Sequence, residues 1–293
     1  MSKPWIFISP SSRGIGHALT AHLLRRTTLP ILATARSSDL SAVKESLVAA
    51  SSRETQTKNL EDDASRLHVT YLDVTDEASI EAAAAKATEL FPPSSHHLHL
   101  AFALPGILHP EKHPRGIDYD NAVETLKVNT LGPLMLMKWF GELLPRKGTD
   151  LTHVRELAVG DSSDNSNNTS NHEDRFRVPP HATWLTTSAR VGSTSDNRLG
   201  GWYSYRASKA GVNSLTKSFD LHLRTRSAGK AMALAYHPGT VKTGLSREFW
   251  GNVAESKLFS PEFAVRKMLG VVETRTVEDR GRCWDWMGDE VLP

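Results

Sequence analysis

The feature that most constrains this chain is an alternation. Short apolar or β-rich runs at 5–9, 30–35, 67–72, 98–104, 183–187 and 231–237 are each followed, after a turn or loop, by a stretch that reads as helix. The run Leu-His-Leu-Ala-Phe-Ala-Leu at 98–104 is nearly continuous in its apolar character, as a central parallel strand covered on both faces must be. Strands that alternate with helices in this way pair in parallel through right-handed crossovers. With a last short strand at 282–286, the expected fold is α/β: one domain with a doubly wound parallel sheet of about seven strands and helices on both faces. A chain of 293 residues is long enough to bury a substantial core of that kind.

The first unit carries a chemical hint. The run at 5–9 enters the turn Ser9-Pro10-Ser11-Ser12-Arg13-Gly14-Ile15-Gly16, and an amphipathic helix follows from His17. Gly14 and Gly16 let backbone approach a pyrophosphate, and the helix N-terminus offers free N–H groups and a positive dipole end. Strand, glycine turn and helix in this order open a Rossmann-type dinucleotide-binding fold. The second run ends at Arg36, where an acid would take a ribose 2′-hydroxyl and a base suits a 2′-phosphate. Arg36, with Arg13 in the first turn, favours NADP(H) over NAD(H); two solvated surface arginines are the alternative.

Residues 39–50 read as helix, and 51–65 as a polar surface connection without periodicity. The third run ends at Asp73-Val74, and Thr75 or Asp76 should cap an Ala-rich helix running to about residue 90, where Pro92 and Pro93 stop it. His96, His97, His99, His109 and His113 are irregularly spaced and lack Cys or carboxylate companions, so they are expected to be solvated loop residues, and no metal is expected. A long helix at 119–144 carries Asn129 in its middle with Gly132-Pro133 just beyond, which suggests a local kink that frees a backbone carbonyl. Residues 147–181 include a polar tract too poor in apolar residues to order itself, and are expected to form a disordered insertion within the single domain. Residues 242–256, with Leu245, Phe249 and Trp250, suit a mobile lid or a docked segment, and 261–272 is helical.

Composition narrows the partners. A net charge of +2 gives no drive toward nucleic acid or an anionic membrane. The one cysteine, Cys283, excludes an intrachain disulfide, and neither a signal peptide nor a transmembrane stretch is visible, so a cytoplasmic protein is expected.

The stretch from Trp184 to Lys217 concentrates the chemistry. A β-rich run ends at Ser188, and Tyr205 and Lys209 lie four residues apart on one helix face. A phenol, with a reference pKa of about 10, becomes a useful acid–base group when an ammonium stabilises its phenolate. A strand-end hydroxyl facing that pair can hydrogen-bond a substrate carbonyl, which makes a proton-transfer site for alcohol–carbonyl chemistry.

These motifs, in this order and separation, resemble the compact single-domain branch of the short-chain dehydrogenase/reductases over nearly the whole chain. The stretch Ser-Ala-Arg-Val-Gly-Ser through Tyr205 to Ala210 is most similar to the C-factor/sniffer-like carbonyl reductase group. The resemblance implies an NADP(H)-dependent oxidoreductase with a catalytic tetrad of Asn129, Ser188, Tyr205 and Lys209. In it, Tyr205 exchanges a proton with the carbonyl oxygen and Lys209 lowers the Tyr205 pKa and binds the nicotinamide ribose. Ser188 orients the carbonyl, and Asn129 holds a relay water. It further implies cofactor contacts from Ser9, Arg13, Gly14, Ile15, Gly16, Arg36, Asp73, Val74, Gly106, Tyr205, Lys209, Pro238, Gly239, Val241 and Thr243, a small carbonyl or alcohol substrate, and a homodimer or homotetramer. Two positions depart from the family pattern. Pro10 replaces the first glycine of the turn, and Ala103-Leu104-Pro105-Gly106 stands for Asn-Asn-Ala-Gly. These departures motivate a rival reading, a catalytically weak or inactive dinucleotide-binding regulatory protein.

Overall fold

A computed structural model describes residues 1–52, 60–158 and 176–293. Six parallel strands form the body of the sheet: β1 (Lys3–Ser9), β2 (Ile31–Ala35), β3 (Leu67–Tyr71), β4 (His96–Ala103), β5 (Ala182–Thr187) and β6 (Ala231–His237). A small parallel pair, β7 (Thr240–Val241) and β8 (Leu258–Phe259), lies apart from it. The main sheet continues through β9 (Cys283–Asp285), parallel to β6, and closes with β10 (Glu290–Val291), antiparallel to β9. The order is β10-β9-β6-β5-β4-β1-β2-β3, eight strands where the sequence suggested about seven. The extra edge strand is two residues long, too short to leave a pattern. The order reverses between β1 and β4, and a crevice opens there at the strands' carboxyl ends.

Alternation along the strands builds two cores. Ile6 and Ile8 point to one face, where they pack with Leu19 and Leu23 of α1 (Gly14–Arg26), Leu47 of α2 (Leu40–Ser51) and Val265 and Met268 near the C-terminus. Trp5 and Phe7 point to the other, against Ile80 and more C-terminal helical residues such as Leu136, Phe140 and Leu223. Each such side chain, fully buried, contributes about 1.5–3 kcal/mol of transfer free energy. Polar side chains set the helix starts. Asp39 caps α2, Asp76 caps the Ala-rich helix and Ser260 caps the last one.

Of residues 51–65, where the sequence suggested an irregular connection, 53–59 lie outside the described residues and the part before β3 is a charged helix, α3 (Leu60–Arg66). Its hidden organiser is Arg66, buried and paired with Asp63 while donating to the Leu29 carbonyl at 3.2 Å. The Ala-rich helix is α4 (Glu77–Leu90). The long helix breaks as expected. α5 (Tyr119–Leu126) passes through a wide π turn, Lys127–Leu131, into α6 (Gly132–Phe140). Gly132 is needed at this junction, because a Cβ there would stand 2.9 Å from the Val74 Cβ.

The segment after α6 is more ordered at its ends than expected. α7 (Val154–Ala158) and the returning Phe176 and Val178 bury side chains in the first core, and the polar tract at 159–175 lies outside the described residues. His97 and His99 are corrected as well. They belong to β4 and are buried, because each finds partners far away in sequence. His99 Nε2 donates to the Pro179 carbonyl at 2.9 Å, so its Nδ1 accepts from His97 Nε2 at 3.1 Å, and His97 Nδ1 takes the Ser2 hydroxyl at 2.9 Å. The remaining helices are α8 (Tyr203–Ser227) and α9 (Pro261–Thr274). Arg280 locks the C-terminal segment to α8, its Nε 2.8 Å from Asp220 Oδ1 inside the protein. Among the described residues no helix is long and apolar enough to cross a membrane.

Candidate active site

The crevice at the carboxyl ends of the strands holds a cavity of about 1370 Å³. The turns after β1, β4, β5 and β6 line it, together with the first turns of α8 and the 244–252 segment. Arg13, Gly14, Ile15, Gly16, Gly106, Ser188, Tyr205, Lys209, Pro238, Gly239, Val241 and Thr243 all face it.

The β1–α1 turn is shaped to take a diphosphate. Gly14 has φ +58°, a left-handed conformation, and no side chain caps the N-terminus of α1. At Gly16 an ideal Cβ would fall 1.8 Å from the Pro10 carbonyl oxygen, so only glycine fits beneath that carbonyl. Pro10 is thus accommodated by Gly16. At the other departure, the Leu104 N–H bonds the Ser9 carbonyl at 2.7 Å and keeps β4 tied to β1 beyond its end. Ser9 itself is buried below the turn, where its hydroxyl accepts from Thr34 Oγ1 at 2.9 Å, so it braces the site from behind. These residues fit a pyridine dinucleotide.

Arg36, Asp73 and Val74 lie at the neighbouring strand ends and do not line the cavity. Arg36 Nη1 stands 3.6 Å from Asp73 Oδ2. Partial burial works against the Asp73 charge, but the Thr75 N–H and hydroxyl and the Arg36 guanidinium outweigh it and hold the carboxyl below its ordinary range. Val74 packs on Gly132 and supports the bend between α5 and α6.

Tyr205 and Lys209 sit on the first turns of α8, both buried. Lys209 Nζ donates to the Thr187 carbonyl at 3.0 Å and stands 5.7 Å from the Tyr205 ring centroid. Burial pushes the Tyr205 phenol up to about 12 and the Lys209 ammonium down to about 8. Burial thus sets the Tyr205 phenol above its ordinary value, against the downward pull expected of Lys209. Both groups are shielded from water, the ammonium is turned toward a carbonyl, and burial dominates. The phenol is therefore fully protonated near neutrality. Ser188, one residue beyond β5, gives its hydroxyl proton to Asn213 Oδ1 at 2.6 Å, which leaves its lone pairs to accept.

Asn129 is fully buried in the π turn and does not line the cavity. Its side chain clamps Ile107, accepting from the N–H and donating to the carbonyl, both at 2.9 Å, and its Nδ2 also reaches Ser208 Oγ at 3.1 Å. It joins the loop after β4 to the helix of Tyr205 and Lys209.

Two residues escaped the sequence reading. Asn213 lies one further turn along α8 from Lys209, so extending the four-residue spacing finds it. Gly192 gave no signal. A Cβ there would lie 2.7 Å from the Lys209 carbonyl carbon, so the loop after Ser188 rests directly on the α8 backbone.

No protein-family model matches the chain. Among characterised proteins, 1-hydroxy-2-glutathionyl-2-methyl-3-butene dehydrogenase of Rhodococcus sp. (strain AD45) is 29% identical over 211 residues, 72% of this chain and 74% of that protein. The NADPH-bound carbonyl reductase from chicken fatty liver superposes with a TM-score of 0.72 over 100% of both chains, at 23% identity. The carbonyl reductase Sniffer of D. melanogaster does so with a TM-score of 0.70 at 20% identity, again over 100% of both chains. In sequence relatives and in fold, this chain is similar to the short-chain dehydrogenase/reductases and, within them, to the C-factor/sniffer-like carbonyl reductase group.

Proposed function

We propose that the protein is an NADP(H)-dependent oxidoreductase that interconverts a carbonyl and an alcohol, with Tyr205 as general acid and base. The observation that carries this reading is a phenol, a buried ammonium and a serine hydroxyl that line one cavity at the carboxyl ends of the strands. NADPH, when bound, supplies the hydride. Gly14, Ile15 and Gly16 would hold its diphosphate, Arg13 and Arg36 a 2′-phosphate, Asp73 and Val74 the adenine end, and Gly106, Pro238, Gly239, Val241 and Thr243 the nicotinamide end.

In the reductive direction Ser188 and Tyr205 both donate to the carbonyl oxygen, Ser188 by turning its hydroxyl proton from Asn213 Oδ1 to that oxygen. The Tyr205 O–H bond breaks as a new O–H bond forms on that oxygen, and the phenolate left behind is stabilised by Lys209, mostly charged below pH 8. Asn129, by clamping Ile107 and Ser208, keeps the loop and helix at fixed separation around this transfer. Preference for NADP(H), a cytoplasmic location and a homodimer or homotetramer belong to the same reading. Exposed Leu126, Leu131 and Leu221 on the α5–α6 and α8 surfaces support the last.

The test is Tyr205→Phe. NADPH oxidation with an accepted carbonyl should fall by about 100-fold or more while the NADPH dissociation constant stays put. A variant as fast as wild type would sink the proposal, and tight cofactor binding without turnover in wild type would favour the regulatory alternative.

A further inference from the structure

Trp202 precedes α8 with φ 51° and ψ 47°, in the left-handed region that a bulky side chain seldom occupies. Gly200 and Gly201 before it share that region, with φ of 64° and 66°. A tryptophan persists in such a conformation only where its surroundings over-determine it. Two anchors do so here. Arg206 donates to the Gly201 carbonyl from Nε at 2.9 Å and to the Gly200 carbonyl from Nη2 at 3.0 Å. On the other side, Glu111 in the loop after β4 is buried, with 5% of its surface exposed. Its backbone carbonyl accepts the Trp202 N–H at 2.6 Å, and its carboxylate accepts the Ser204 N–H, both oxygens at 3.3 Å. A carboxylate at the first turn of a helix meets unpaired N–H groups and the positive dipole end, which suits it to this place.

These anchors fix an aromatic wall. The Trp202 indole stands edge-on to the Tyr205 ring, centroids 6.1 Å apart at 82°, and tilts against Phe249 at 5.1 Å and 52°. All three residues line the cavity. A flat ring beside such a wall gains offset or edge-to-face contacts that a puckered aliphatic ring of equal size cannot make. The geometry points to Trp202 as a specificity-determining residue that, with Phe249, selects carbonyl substrates bearing an aromatic or conjugated planar group, with Glu111 as the residue that positions it. This deepens the carbonyl–alcohol reading of the site and rests on it.

The test compares benzaldehyde with cyclohexanecarbaldehyde. It measures kcat and KM with NADPH, and the dissociation constant of each aldehyde from NADP+-loaded protein, where no hydride is available. Wild type should prefer benzaldehyde. Trp202→Ala and, independently, Phe249→Ala should each remove about tenfold of that preference, in KM and in the dissociation constant, with kcat changed by less than about twofold. Trp202→Phe should restore most of it. Glu111→Ala should lose the preference as Trp202→Ala does, while NADPH binds as in wild type. Equal losses on both aldehydes, or an unchanged ratio in both alanine variants, overturn the inference. A wild type that reduces neither aldehyde counts against the carbonyl-reducing reading, and the dissociation constants then still decide the role of Trp202.

Discussion

Arg36 and Asp73 face each other across the carboxyl ends of β2 and β3, 3.6 Å apart, with more than half of the arginine side chain exposed. An exposed pair of this kind contributes about 0–1 kcal/mol, so the guanidinium can turn to a phosphate at little cost. A hydrogen bond to a charged partner is worth about 1.5–3 kcal/mol, which is roughly 10- to 100-fold in affinity. Arg36→Ala should therefore weaken NADPH binding by about that factor and leave NADH within about threefold. Titration of both cofactors by fluorescence checks it, and equal effects on the two would contradict the assignment of Arg36.

The buried histidines predict acid lability. Burial depresses His99 to about 3 and His97 and His181 to about 4, from an ordinary 6.5. Between those values the unfolded chain binds protons that the folded chain refuses. Stability is therefore full above about pH 6.5 and falls as pH drops toward 4. At pH 5 a fully buried imidazole of this kind costs about 2 kcal/mol. Thermal melts from pH 8 to 5 should show the loss, and a His97→Leu/His99→Met double variant should flatten the slope. An equally steep slope in that variant would place the acid sensitivity elsewhere.

Gly192 offers a test of preorganisation. An added methyl would press on Lys209 and Ala210, with contacts of 2.7–2.9 Å to their atoms. Overpacking of this order costs about 1–3 kcal/mol. Gly192→Ala should melt several degrees lower and lose kcat by at least about tenfold, because the displaced atoms belong to Lys209. The NADPH dissociation constant should move less than kcat. Assay of the folded fraction at a temperature below both transitions separates the two effects.

The body of the sheet was legible because parallel strands covered on both faces must be apolar, as the run at 98–104 is. What escaped depended on distant partners. His97 and His99 looked solvated because nothing local tells that Ser2 and Pro179 will satisfy them. α3 looked irregular because its anchor is a buried arginine rather than an apolar stripe. Tyr205, Lys209 and Ser188 stood out by spacing and Asn129 through the family resemblance, yet Asn129's grip on Ile107 arises only when the loop after β4 meets the π turn. That the Tyr205 phenol lies above its ordinary value was not legible for a related reason. Sequence shows which charges are near in the chain, but burial is a property of the assembled fold.

The cavity has two unlike walls, a floor at the end of β5 and the start of α8 and a roof at 244–252. The floor carries Ser188, Tyr205 and Lys209 on segments tied to each other, with Gly192 against the Lys209 backbone and Lys209 Nζ on the Thr187 carbonyl. The roof, residues 244–252, is started by a capping box between Thr243 and Ser246 and meets the floor through aromatic side chains. On the proposed reading, substitutions in the roof retune which molecules are accepted while Ser188, Tyr205 and Lys209 stay where they are. In such an architecture substrate range can drift over generations without the chemistry being rebuilt.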